Sequence, residues 1–67
     1  MIGITLNGEK HELSENISIF DLIHRFKLDP EQIVVQLNNG ILEKKEYQLR
    51  QIQNNDRIEL IKFMAGG

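Results

Sequence analysis

The residues with the clearest chemical potential are the last four of the sequence, Met64-Ala65-Gly66-Gly67. A glycine-glycine end has no packing value, because it has no side chain to bury and fixing its backbone costs much entropy. Stretched out, Ala65 to Gly67 reach about 10 Å past the last packed residue, at about 3.3–3.6 Å per residue. Such a segment fits a groove too narrow for any Cβ and can present the Gly67 carboxylate to another protein. Taken alone, the two glycines favour the plainer reading, a frayed terminus. Other chemistry is scarce. With no cysteine in the chain, disulfides, thiolate metal sites and a cysteine nucleophile are excluded, and any sulfur must be imported. His11 and His24 are too few and too scattered for a metal site. His11 has no partner acid or nucleophile in view and reads as a histidine on a sheet face; His24 lies away from the helix's apolar stripe and reads as a solvated helix residue. Phosphate-cradling glycine motifs are missing.

The totals narrow the classes further. Sixty-seven residues make one small domain. A domain of that size buries only about 60% of its unfolded surface and has little room for an internal active site. Net charge is -2, with no cluster of basic residues; nucleic acid and anionic membranes are poor partners for such a chain. No apolar run approaches a signal segment or a membrane span, so a cytoplasmic protein is expected.

The elements that must hold the tail follow from periodicity. Ile2, Ile4 and Leu6 alternate with Gly3 and Thr5, the pattern of a half-buried strand. Asn7-Gly8 is a strong signal for a type I′ hairpin, and the return strand, about Lys10 to Leu13, is polar like an edge strand. Ser18-Ile19-Phe20-Asp21 is an acidic capping box, with Ile17 placed to staple on Leu22. Ile19, Leu22, Ile23 and Phe26 then form one apolar helical face, and Asp29-Pro30 is expected to stop the helix. Ile33, Val35 and Leu37 mark a strand expected to be central, followed by the Asn38-Asn39-Gly40 turn. Glu43-Lys44-Lys45-Glu46 reads as solvated surface, and Tyr47, Leu49 and Ile52 as core contacts from an irregular 43–53 segment. After the Asn54-Asn55-Asp56 turn, Ile58 and Leu60 point one way, with Glu59, Ile61 and Phe63 the other. One amphipathic helix over such strands is an α+β two-layer domain. Val34 is out of phase with its neighbours and can join Ile61 and Phe63; grouped apolar residues left outside a core mark a partner-binding site. The competing arrangement has the 43–53 segment covering them.

These features together resemble the ThiS family, the sulfur carrier proteins of thiamine biosynthesis. The resemblance rests on the β-grasp element order, the capped helix, Leu37-Asn38, the Asn55-Asp56 turn and the Ala65-Gly66-Gly67 end, and it spans the whole chain. Asn55 stands where the family often has glycine, and Glu43 where proline is common. The resemblance implies a ubiquitin-like β-grasp fold, a four-to-five-stranded mixed sheet covered by one main helix over residues 1-64, with 65-67 as a flexible C-terminal tail. It also implies a carrier rather than an enzyme. A partner adenylating (E1-like) enzyme would use ATP and Mg to turn the Gly67 carboxylate into an acyl-adenylate. A sulfur donor such as a cysteine desulfurase would supply a persulfide, and the resulting thiocarboxylate would pass its sulfur to thiazole synthase. No cofactor or metal bound by the chain itself is implied. Three other readings remain open at this point: a molybdopterin-type sulfur carrier, a ubiquitin-like protein modifier, and a non-catalytic β-grasp binding module. An iron–sulfur β-grasp protein is excluded by the missing cysteines.

Overall fold

Two asparagine turns close two separate hairpins, and the last strand of the chain joins them. The computed structural model describes residues 1–63; Ala65, Gly66, Gly67 and the domain boundary after residue 64 lie outside the described residues. Strands β1 (Ile2–Leu6) and β2 (Glu9–Leu13) pair antiparallel from Ile2↔Leu13 to Leu6↔Glu9. Asn7 and Gly8 between them have φ of 50° and 84°, the two positive values a type I′ turn requires. Strands β3 (Ile33–Leu37) and β4 (Gly40–Leu42) form the second hairpin, with Asn38 and Asn39 at φ 52° and 73°. Strand β5 (Arg57–Lys62) runs parallel to β1 and antiparallel to β3, giving the order β2-β1-β5-β3-β4. The middle strand is therefore β5; β3, expected from the sequence to be central, is an interior strand one place from the middle, flanked by β5 and β4. One edge of β3 is already taken by β4, so only its other edge is open to β5.

Helix α1 (Ile19–Arg25) begins as its sequence dictates. The Asp21 N–H donates to Ser18 Oγ at 3.1 Å, and the Ser18 N–H donates to Asp21 Oδ2 at 3.0 Å. The Ser18 N–H bond favours the ionised carboxylate and, with a smaller contribution from the Ser18 hydroxyl, holds the Asp21 pKa below its usual value. Ile19, Leu22 and Ile23 are fully buried on the sheet. Phe26 is not; it caps the helix C-terminus and is 39% exposed, which corrects its placement on the buried face. The helix ends earlier than Asp29-Pro30 because Lys27 turns left-handed at φ 59°. The Lys27 N–H then donates to the His24 carbonyl and the Leu28 N–H to the Ile23 carbonyl, closing a Schellman motif. The Phe26 ring instead meets the His11 ring edge-on at 5.9 Å, and His24 stacks near Phe20 at 4.4 Å.

The core joins α1 to Ile4, Leu6, Leu13, Ile33, Val35, Ile58 and Leu60 on the inner face of the sheet. Tyr47 and Ile52 complete it, but Leu49 is 78% exposed, contrary to expectation. An irregular segment has no period, so its apolar residues cannot be phased from sequence. This segment packs along the start of α1: the Ile19 and Phe20 N–H groups donate to the Arg50 and Tyr47 carbonyls, and the Ile52 N–H to Ile17. It enters a 3₁₀ turn (Lys44–Glu46) from Glu43 at φ -73°, the angle a proline ring would impose. Burial pushes the Tyr47 phenol pKa up. Asp56 is the buried charge: its carboxylate accepts from the Asn38 amide at 3.0 Å and the Gln53 N–H at 2.8 Å, with Arg50 at 3.6 Å. Five mixed strands gripping one helix are the β-grasp architecture.

Candidate functional site

Strand β5 is the element that delivers the tail. Ile58 and Leu60 are buried beneath α1, so Arg57, Glu59 and Ile61 lie on the opposite sheet face. Phe63 continues that phase, and its N–H donates to the Gln32 carbonyl at 3.1 Å. That carbonyl sits at the end of a 3₁₀ turn (Pro30–Gln32) capped by Asp29, whose Oδ1 accepts the Glu31 N–H at 2.9 Å. The turn is tied to its neighbour by the Lys44–Glu31 ion pair, whose hydrogen bond raises the Lys44 pKa. The point where the chain leaves the sheet is thus braced from below.

Ile61 is 44% and Phe63 42% exposed, and half-buried Val34 stands directly across the ladder from Ile61. The structure therefore brings together the three partner-binding residues expected from strand phase. It adds a fourth. Ile41, 64% exposed, pairs with Gln36 in the β3–β4 ladder and so shares the outer face. A signal for it existed: a two-residue turn at Asn38-Asn39 sets the register Leu37↔Gly40 and Gln36↔Ile41. The 43–53 segment does not cover these residues, because its hydrogen bonds hold it beside α1, on the other side of the sheet. Away from the apolar corner the same face turns charged. Thr5 pairs with both Lys10 and Arg57, aligning two cations in one row, and Glu59 pairs with Gln36.

This arrangement offers apolar contact and charge pattern beside a strand exit. Among the described residues no group of three His, Cys, Asp or Glu side chains could hold a metal ion. No helix among them is long and apolar enough to cross a membrane. Gly67, Gly66 and Ala65, which would carry the chemistry, lie outside the described residues. Asn55, where glycine was the family's usual residue, takes φ 73°, a left-handed value that asparagine tolerates.

Comparison with known proteins gives a consistent picture. The model of the ThiS family matches residues 4–67. The uncharacterized protein ycf40 of Trieres chinensis is 32% identical over 62 residues, covering 92% of this chain and 85% of that protein. A thiazole synthase of Magnetococcus marinus is 30% identical over 64 residues, covering 96% of this chain but 20% of that protein. Among solved structures, the thiamine biosynthesis protein ThiS of Geobacter metallireducens superposes with a TM-score of 0.84 at 26% identity, covering 98% of this chain and 100% of that one. A solution structure of a thiamine biosynthesis protein from the same organism gives 0.78 at 25% identity, covering 98% and 88%.

Proposed function

The chain belongs to the ThiS family, and from that premise we propose that it is a sulfur carrier whose Gly67 carboxylate is activated and sulfurated by partner enzymes. The single observation that carries this reading is the family match over residues 4–67, which runs from the first strand through Gly66-Gly67. The apolar corner of Val34, Ile41, Ile61 and Phe63, set beside the strand exit, supports it by supplying a surface on which a partner can dock while taking the tail.

The chemistry divides cleanly between carrier and partners. In the adenylating enzyme a Gly67 carboxylate oxygen attacks the α-phosphate of Mg-bound ATP and expels pyrophosphate. A carboxylate is a poor acyl donor, and the acyl-adenylate is a good one because AMP leaves readily. A persulfide sulfur from a donor such as a cysteine desulfurase attacks the acyl carbon and displaces AMP. A thiol then opens the resulting acyl disulfide and leaves the thiocarboxylate. The carrier supplies reach and recognition, not an acid or base.

Thiazole synthase is the acceptor this reading favours. The relatedness to a stretch of the Magnetococcus marinus thiazole synthase supports it over molybdopterin synthesis. The test is intact mass after co-expression with an adenylating enzyme and a sulfur donor. An oxygen-for-sulfur exchange located at Gly67 is expected. Deleting Gly67 moves the carboxylate by about 3.3–3.6 Å, about a near-attack distance, so pyrophosphate exchange should collapse. Normal exchange by the deletion variant would refute the carrier reading, and lysine-linked conjugates in its place would make the chain a protein modifier.

A further inference from the structure

The outer half of β5 has a support that no strand provides. The parallel β1–β5 ladder contains two pairs, Thr5↔Arg57 and Leu6↔Ile58, because β1 ends at Leu6 and the chain turns away at Asn7. On its other side β5 stays paired with β3 as far as Ile33↔Lys62. The alternation of that ladder is set by the Asn38 N–H donating to the Arg57 carbonyl and the Phe63 N–H to the Gln32 carbonyl. Residues 57, 59, 61 and 63 therefore bond toward β3, while the backbone groups of Ile58, Leu60 and Lys62 point to where β1 has stopped.

Asn7 fills that gap twice. Its N–H donates to the Ile58 carbonyl at 2.9 Å, as a continuing strand would. Its side-chain Oδ1 then accepts the Leu60 N–H at 2.8 Å, taking the place of a backbone carbonyl that β1 no longer has. We propose that Asn7 is a positioning residue: its amide oxygen acts as one extra rung of β1 and holds the outer half of β5, with Ile61 and Phe63, in the pose the partner enzyme docks against. This rests on the docking reading above. The turn demands a positive φ at this position, which glycine, asparagine and aspartate provide, but only the last two bring an acceptor. The residue type thus answers two needs at once, the turn and the rung.

The two needs separate experimentally. Asn7→Gly keeps the left-handed turn and removes only the acceptor, and Asn7→Asp keeps both. Amide hydrogen exchange on the free protein and pyrophosphate exchange with the adenylating enzyme are measured for each. Asn7→Gly should speed exchange at Leu60 by about tenfold, the size of one net hydrogen bond, while leaving Glu59 and Ile61 protected. It should also raise KM for the carrier severalfold with kcat unchanged, and Asn7→Asp should restore both. Unchanged Leu60 exchange in Asn7→Gly, or no rescue by Asn7→Asp, overturns the proposal. So does an altered Leu60 exchange with an unaltered KM, if Ile61→Asp/Phe63→Asp does raise KM; the docking face would then stand without a role for Asn7. If that double variant also leaves KM unchanged, the docking reading itself fails and takes this inference with it.

Discussion

Replacing Ile61 and Phe63 together by aspartate tests the outer sheet face most directly. A phenylalanine side chain presents about 200 Å² when bare, so 42% exposure leaves about 80 Å² of ring for a partner, and Ile61 at 44% leaves a similar area. At about 25 cal/mol per Å² the two surfaces amount to about 4 kcal/mol if a partner covers them fully. Contact is never complete and association has its own entropic cost, so about half, 2 kcal/mol, is a fair expectation. At about 1.4 kcal/mol per tenfold, that is a rise of about 30-fold in the carrier's KM. The assay is pyrophosphate exchange with the adenylating enzyme at varied carrier concentration, alongside thermal melts. The melts should shift little, because both side chains lie on the face away from α1. A KM within twofold of the parent, with the fold intact, would refute the reasoning. Unfolding of the variant would refute it from the other side, by showing that these residues belong to the core.

Three further outcomes concern the stability of the fold. Ile23→Ala, at a fully buried site, should cost about 2–5 kcal/mol in urea unfolding, whereas Phe26→Ala, at a 39% exposed site, should cost clearly less. Asp56→Ala strips the acceptor from the Gln53 N–H and the Asn38 amide. Bonds to a charged group contribute about 1.5–3 kcal/mol each, so a loss of about 3 kcal/mol or more is expected, read by the same denaturant midpoint. Asp21 has its folded pKa held below the usual 3.8 by the Ser18 bonds. Its contribution is therefore present above that value and fades as pH falls through the lower folded pKa. Melts of the parent and of Asp21→Asn should differ at neutral pH and converge in strong acid; a gap that stays constant with pH would exclude the carboxylate as its source.

Legibility in the sequence tracked how local each cause was. The capping box needs four consecutive residues, and Ser18 to Asp21 declare it. Strand phase needs only alternation, and it placed Val34, Ile61 and Phe63 on one face correctly. Phe26 fits the helical period, but the helix stops first, since Lys27 turns left-handed without the glycine that usually announces such a cap. The place of β5 between β1 and β3 is decided by pairings across the whole chain, which no local pattern encodes. The same holds for Asn7, whose partner Leu60 lies at the other end of the sequence. The tail's glycines are plain to read, but their chemistry depends on a partner, so recognition of the family was needed to give them a use.

The position of β5 also matters during synthesis. Of the described elements the ribosome delivers the central strand last, after both hairpins have emerged with no strand to join them. A lone two-stranded hairpin is marginal in water, so a nascent or truncated chain lacking β5 has no stable sheet and is open to proteases. A chain cut short before or within β5 therefore lacks the joined sheet and the Ile61–Phe63 part of the outer face together, and on the carrier reading it competes little with the full chain for a partner.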